Sequence, residues 1–293
     1  MTSQRPKDYD TKSAPTISTL YASTIYINSA HLTTLMRNDA EMAKIDYMSD
    51  DILNKCGQAN NEIWYTSSDG NVVTPNDATA LPTIVSNTYV GDKGIIKCAS
   101  DITSIGASAF MNCNSLTSIE IPVSVTSLGK KAFFGCTSLT SVMILNNVTS
   151  IGNSAFYGCT GLTSIEIPGS VTSLGDEAFR SCSGLTSVTI PDSVTSLGYG
   201  AFRNCGGLTS VMIPNSVTSI GEDAFYYCGS LASVIIGNGV TSIGSWAFGF
   251  CKSLRNISYE DTITRWNDIT KGEKWNASIP AKVVHCIDGD API

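Results

Sequence analysis

Charge is scarce in this chain. Only 15% of its 293 residues are Asp, Glu, Lys or Arg, against about a quarter in an ordinary soluble domain. Acidic residues outnumber basic ones 25 to 18, for a formal charge of -7. No block of Lys or Arg is present to neutralise phosphates, so nucleic acid is the first partner excluded, and an anionic membrane surface would repel the chain. Histidine occurs twice, at His31 and His285, and neither lies in a nucleophile motif, which leaves acid–base catalysis without its commonest agent. No stretch approaches ~18 consecutive apolar residues, which excludes a spanning helix. There is no C-x-x-C pair and no Gly-Lys-Ser/Thr run, so a zinc knuckle and a phosphate loop are both unsupported. The opening, MTSQRPKDYDTKSAPT, lacks the basic, apolar and small-residue zones of a secretory signal. That reading points to a chain that stays inside or is exported or assembled by another route.

What the chain has instead is repetition. Val125 to Gly129 reads VTSLG, and the same five-residue frame returns at Val148, Val171, Val194, Val217 and Val240, each step being 23 residues. Counting from Ile102 gives seven units ending near Thr262 without an insertion or deletion. A fixed period of this length is the signature of stacked copies of one unit. With 25 glycines and 42% apolar residues, the composition agrees with a β-rich, turn-rich solid and disagrees with a helical bundle.

Within a unit, Leu116, Ile119 and Ile121 predict a short inward-facing strand, stopped by Pro122 because proline has no N–H for the next ladder position. Val125 and Leu128 form a second apolar cluster, and Gly129 allows a sharp turn. Ala132, Phe133 and Cys136 are spaced as on one inward-facing helical turn. No single coil can bury these side chains alone, whereas stacking at ~4.8 Å buries them all, and seven coils span roughly 34 Å. Phe110, Phe133, Phe156, Phe179, Phe202, Phe225 and Phe248 are expected to form a continuous spine.

The pattern L-T-S-[IV]-x-I-P-x-S-V-T-S-[IL]-G-x-x-A-F-x-x-C resembles the BspA-like leucine-rich repeats, also called the Treponema pallidum type. About 160 residues carry it. The tail, with Trp266, Trp275 and Val284 to Gly289, is similar to the closing segment of Bacteroides-like members. The resemblance implies an α/β solenoid, a right-handed superhelix of seven 23-residue coils with caps at both ends, working in adhesion at a cell surface. One departure is plain: where leucine-rich repeats commonly carry an asparagine ladder, this chain has Ser124, Asn147, Ser170, Ser193, Ser216 and Gly239.

The flanks divide further. Residues 1–57 are expected to hold a disordered start to about residue 15, a strand from Thr16 to Ile27 and a helix from Asn28 to Gly57. That helix has heptad spacing at Leu35, Asn38, Met42, Ile45, Ser49 and Ile52, which permits a short coiled coil and with it a homo-oligomer, although packing on its own domain is the simpler fate. Residues 58–101 read as two hairpins, Asn61 to Thr66 with Asn71 to Thr74, then Ile84 to Val90 with Ile95 to Cys98. These form an N-terminal cap for the solenoid at 102–262, and residues 263–293 form a C-terminal cap.

Seven of the ten cysteines, Cys113, Cys136, Cys159, Cys182, Cys205, Cys228 and Cys251, fall on the period. They stand in one column, where parallel Cβ vectors disfavour disulfides and a line cannot wrap a metal. They are read as reduced core residues, with Cys56, Cys98 and Cys286 unassigned, and neither metal nor cofactor is expected. Glu120 and Glu166 occupy equivalent positions two coils apart, about 9.6 Å by strand spacing, a separation an inverting hydrolase can use. Repetition explains them more simply. His285 is read as a packed cap residue. An enzyme is therefore not expected.

Surface remains. One variable column carries Phe134, Tyr157, Arg180, Arg203 and Tyr226 beside the turn, with Tyr227 and Phe250 adjacent. These are the residue types that anchor interfaces. The alternative face is the strand column Glu120, Met143, Glu166, Thr189 and Met212. The leading expectation is a non-enzymatic recognition or adhesion protein whose partner is a protein or glycan on a cell or matrix surface. The alternative is an attachment or decoration subunit of a larger assembly such as a phage virion, anchored by its N-terminal segment.

Overall fold

The computed structural model describes residues 58–293. The strand, helix and coiled coil expected in residues 1–57, together with Cys56 and His31, lie outside the described residues.

The solenoid is built as the period requires. Numbering the coils from Ile102, each contributes a two-residue strand and a longer strand to two ranks. The short rank runs Ser104–Ile105, Ser127–Leu128, Ser150–Ile151, Ser173–Leu174, Ser196–Leu197, Ser219–Ile220 and Ser242–Ile243. Within coils 1 to 4 and within coils 5 to 7 its neighbours pair in parallel, serine against serine, and the ladder is interrupted between Ser173–Leu174 and Ser196–Leu197. The longer rank includes Leu116–Glu120 in coil 1, Ser187–Thr189 in coil 4 and Asn256–Tyr259 in coil 7, with parallel ladders one period apart joining coils 1 and 2, coils 3 and 4, and coils 5 to 7. Alternation buries Val211 and Ile213 while Met212 faces out, the period-2 rule of a strand with one wet face.

Between the ranks runs the phenylalanine spine. The seven rings are 0–1% exposed and stack with centroids 5.2 to 5.5 Å apart and planes within 7° of parallel. At ~2 to 3 kcal/mol each for burial, they are the largest repeated apolar contribution.

Where a helical turn is expected around Ala132 to Cys136, the chain makes two left-handed turns instead. Lys131 and Gly135 have φ of 58° and 71°, and the equivalent residues of the other coils share the sign. The reason is hydrogen bonding between coils. Lys131, Phe133 and Gly135 each donate their N–H to the next coil, at Asn153, Ala155 and Tyr157, while Ala132, Phe134 and Cys136 donate three residues back. A helical turn would keep every bond inside its own coil and leave the stack unpaired on this side.

The glycine after each short strand has a different role from the one expected. None of Gly129, Gly152, Gly175, Gly198, Gly221 and Gly244 has a positive φ. A Cβ on Gly152 would lie 2.7 Å from backbone atoms of Gly129 and Lys130, so these glycines permit the close approach of successive coils.

The serine ladder bonds backbone one coil back: Ser170, Ser193 and Ser216 donate to the carbonyls of Val148, Val171 and Val194 at 2.6 to 2.8 Å, and Asn147 donates to Val123.

An eighth coil follows the seven. Ser242 pairs with Thr270 and Ile243 with Lys271, so the frame resumes at Gly272 after the helix α1, Ile263–Asp268, has stretched the period. That insertion hid the coil from the repeat count. Trp275 covers the end of the spine, edge-on to Phe248 at 6.3 Å, and Trp266 packs beside it at 5.7 Å.

At the start, β1 (Glu62–Ser67), β2 (Ile84–Val90) and β3 (Lys93–Cys98) form an antiparallel sheet in the order β2-β3-β1. The expected pairing of β1 with Asn71 to Thr74 does not occur. Coil 1 offers β1 an open strand edge, and β1 takes it, Trp64 opposite Glu120. Val73 is held by side chains, donating to the Tyr65 hydroxyl and accepting from Asn87. At the other end Val283–Cys286 extends the parallel rank beside Asn256–Tyr259, and Gly289–Pro292 closes it antiparallel.

Candidate functional site

The turn-edge column becomes a ladder of ring contacts. Phe134 stacks on Tyr157 at 4.7 Å, the Arg180 guanidinium lies 5.2 Å from the Tyr157 ring, and Arg203 lies 4.8 Å from the ring of Tyr226. Tyr226 meets Tyr227 edge-on at 4.7 Å. All six turn-edge residues singled out in the sequence are thus brought into one band. Their periodic position places them there, because the turn from coil to coil repeats the same outward direction.

The band breaks between Arg180 and Arg203, where two like charges stand on consecutive coils. Each is neutralised locally. Arg180 pairs with Glu177 in its own coil, and Arg203 with Asp223 in the next, while Arg203 also donates to the Tyr199 hydroxyl at 3.3 Å. Burial works against the charge of Arg180, and the hydrogen bond it donates to Glu177, with the charge of Glu177 and the nearby Tyr157 and Tyr199, outweighs it, so its pKa is raised. The two arginines are therefore not free surface positions; their side chains are 27% and 26% exposed. Asp223 is almost wholly buried, and its partner is what makes that burial tolerable.

Phe250, which the sequence sets beside Tyr227, joins the cluster, whereas sequence reasoning missed Trp246, Lys274 and Lys131. Trp246, Phe250 and Lys274 extend the band: Tyr227 stacks on Phe250 at 4.9 Å and 4°, Trp246 on Phe250 at 6.0 Å, and Lys274 lies 4.9 Å from the Trp246 ring. At the other end Lys131 lies 5.3 Å from the ring of Phe134. Lys131, Trp246 and Lys274 occupy a further column, the first left-handed turn position, and that is why a reading of the two neighbouring columns does not find them. A depression of about 240 Å³ sits on the band, lined by Arg180, Ser181, Arg203, Asn204, Tyr226 and Tyr227.

The strand-face alternative is also an aligned rank. Glu120 stands opposite Met143, Glu166 opposite Thr189, and Met212 is 56% exposed. It is a row of small and flexible groups, continued onto the cap by Trp64, over which Lys93 sits at 3.1 Å.

The periodic cysteines carry no disulfide and are buried. Burial pushes the thiols of Cys113 up to about 11 and of Cys159 and Cys205 up to about 12. Such thiols are poor nucleophiles. Among the described residues no group of three His, Cys, Asp or Glu is arranged to hold a metal. Contrary to expectation, His285 is not packed: it is about half exposed and pairs with Asp290 at 2.7 Å across the last two strands. The hydrophobic contacts there belong to Val284 and Ala291 on the opposite face. No described helix is long and apolar enough to cross a membrane.

A family model described as a BspA type leucine rich repeat region matches in 6 copies over residues 93–205 and 149–270, more than half of the chain. Among solved structures, a leucine rich cell surface protein from Faecalibacterium prausnitzii A2-165 is 30% identical with a TM-score of 0.47, over 58% of this chain and 54% of that one. The T. pallidum leucine rich repeat protein is 28% identical with a TM-score of 0.42, over 59% and 68%. A leucine-rich repeat protein from Eubacterium ventriosum ATCC 27560 is 26% identical with a TM-score of 0.53, over 60% and 46%. The chain thus spans about half the length of the first and the last of these. No curated protein matches the chain.

Proposed function

The chain belongs to the BspA-type leucine-rich repeat proteins, and on that premise we propose that it is a non-enzymatic recognition module that binds a macromolecule displayed on a host or neighbouring cell or its matrix. The observation that carries this reading is the band from Phe134 to Tyr227, in which aromatic and arginine side chains on five consecutive coils form two runs of ring contacts that meet at Arg180 and Arg203, each arginine fixed by its own ion pair. Rigid aromatics and arginines give binding energy at low entropic cost. The strand face, with its row of Thr, Glu and Met, serves as surrounding surface. No catalytic group, cofactor or metal is assigned, and the family supports display at a cell surface. In the same reading residues 58–101 and 263–293 act as caps that keep the solenoid from pairing end to end.

The test is capture of solubilised host-cell surface and matrix molecules by the full chain, followed by the Arg180→Ala and Arg203→Ala double variant. A confirmed partner is expected to bind at least tenfold more weakly, about 1.4 kcal/mol. Unchanged binding, with loss when Glu120, Met143, Glu166 and Met212 are altered, moves the site to the strand face. If neither set matters, and the chain is an oligomer that dissociates on removal of residues 1–57, the assembly-subunit reading replaces this one.

A further inference from the structure

The aromatic end of the band stands on backbone that disfavours it. In the second left-handed turn position, successive coils place Asn112, Gly135, Gly158, Ser181 and Asn204, then Tyr227 and Phe250, with φ of 60° for both aromatics. Trp246 occupies the first left-handed position, at 58°. Glycine and asparagine are the ordinary occupants of this conformation, whereas bulky side chains adopt it rarely and under strain. Three aromatics in coils 6 and 7 therefore occupy sites where a smaller residue folds more easily, and they are stacked on one another. Strain held in one place by its surroundings is a pointer to function.

The geometry beside them is specific. One face of Tyr227 is covered by Phe250. Toward coil 5 its column drops to the short side chains of Asn204 and Ser181, and that step is the 240 Å³ depression. Tyr227 is 45% exposed there. The result is a flat ring wall over a polar floor that includes the Asn204 amide, the Ser181 hydroxyl, to which Asn204 donates at 3.3 Å, and the planar guanidinium groups of Arg180 and Arg203.

We propose that this step is a carbohydrate subsite that seats one neutral pyranose ring, its C–H face against Tyr227 and its hydroxyls on Asn204 and the two arginines. The π face carries partial negative charge and attracts polarised C–H groups. Amide and guanidinium groups offer donors, and the amide an acceptor, in the planar arrangement that sugar hydroxyls match. The volume suits one ring and falls below a drug-sized pocket. Neutrality follows from the ion pairs: Glu177 and Asp223 already offset both arginines, so an anionic sugar finds no free charge. This assignment rests on the turn edge being the recognition face, and it narrows the partner there to a glycan.

The test probes the full chain with immobilised neutral oligosaccharides ending in β-galactose, β-glucose or N-acetylglucosamine, beside sialylated and sulfated ones. Binding to at least one neutral terminus is expected. Tyr227→Gly removes the wall while placing glycine at φ of 60°, so the variant is expected to keep its unfolding midpoint within a few degrees and to lose at least tenfold in affinity. Asn204→Ala is expected to lose severalfold. No binding to any neutral terminus, binding confined to sialylated or sulfated ones, or neutral binding that Tyr227→Gly leaves intact overturns the subsite. A protein partner that stays sensitive to the Arg180 and Arg203 double variant after enzymatic deglycosylation overturns the subsite and leaves the recognition reading standing.

Discussion

The thiol of Cys205 donates to the carbonyl oxygen of Phe179, one coil back, across 3.1 Å. The same bond recurs from Cys136 to Phe110, Cys159 to Phe133, Cys182 to Phe156, Cys228 to Phe202 and Cys251 to Phe225. The cysteine column is therefore a bonded ladder beside the spine as well as small apolar filling, and it does on this side of the coil what the serines do on the other. Cys205→Ala should lower stability by about 1 to 2 kcal/mol, from a weak bond lost and a small void gained. Urea unfolding of the variant checks this, and a change near zero would show the thiol to be idle.

Alkaline pH should unfold the protein through this ladder. The folded thiols of Cys159 and Cys205 hold their protons to about pH 12, against an ordinary value of 9.0. Below that ordinary value both states are protonated and stability is full. Above it the unfolded thiols ionise while the folded ones do not, so the unfolded chain gains. Each thiol then costs ~1.4 kcal/mol per pH unit until the folded value is passed. The unfolding midpoint should be insensitive to these thiols up to about pH 8 and fall between pH 9 and 11. A thiol reagent at pH 8 should label few cysteines before denaturation and nearly all afterwards.

Phe179 sits in the middle of the spine, 0% exposed, with Phe156 and Phe202 stacked at 5.4 and 5.3 Å. Phe179→Ala should cost ~3 to 5 kcal/mol, since coils on either side hold the cavity open. A loss below ~1 kcal/mol in urea unfolding is incompatible with this packing.

Gly152→Ala tests the coil-to-coil approach. The added methyl meets the backbone of Gly129 and Lys130, which has no rotamer with which to move aside, so a loss of ~1 to 3 kcal/mol is expected. Gly169→Ala, where nothing lies within 4 Å and φ is not left-handed, should fall within ~0.5 kcal/mol of the parent. Equal effects in thermal melts would contradict the distinction.

The two arginines of the band should differ in what their loss does to folding. Arg203→Ala leaves the buried Asp223 without its cation and should cost ~1 to 3 kcal/mol, whereas Arg180→Ala leaves the more exposed Glu177 and should cost under ~1 kcal/mol. Adding Asp223→Asn to Arg203→Ala should restore part of the loss. Denaturant melts of the three variants decide it, and identical losses for the two single variants would put the ion pairs on an equal footing.

The stacking frame, the spine and the cysteine column were legible in the sequence by itself. A 23-residue period without slippage leaves one way to bury Val, Leu, Phe and Cys together, and each periodic column then points in one direction. The residue types from Phe134 to Tyr226, with Tyr227 beside them, were legible for the same reason, as one periodic column and its neighbour. Only the tertiary structure decided what those residues do to one another. The helical turn expected at Ala132 to Cys136 failed because amide groups bond to the neighbouring coil, and spacing within one unit carries no record of that. Those left-handed turns set Tyr227, Trp246 and Phe250 into one stack across two columns and two coils, and bring Asp223 of coil 6 to Arg203 of coil 5. The pairing of β1 with coil 1, and the eighth coil beyond α1, were likewise settled by open strand edges finding partners across long stretches of chain, a choice that depends on which edge the completed stack leaves bare.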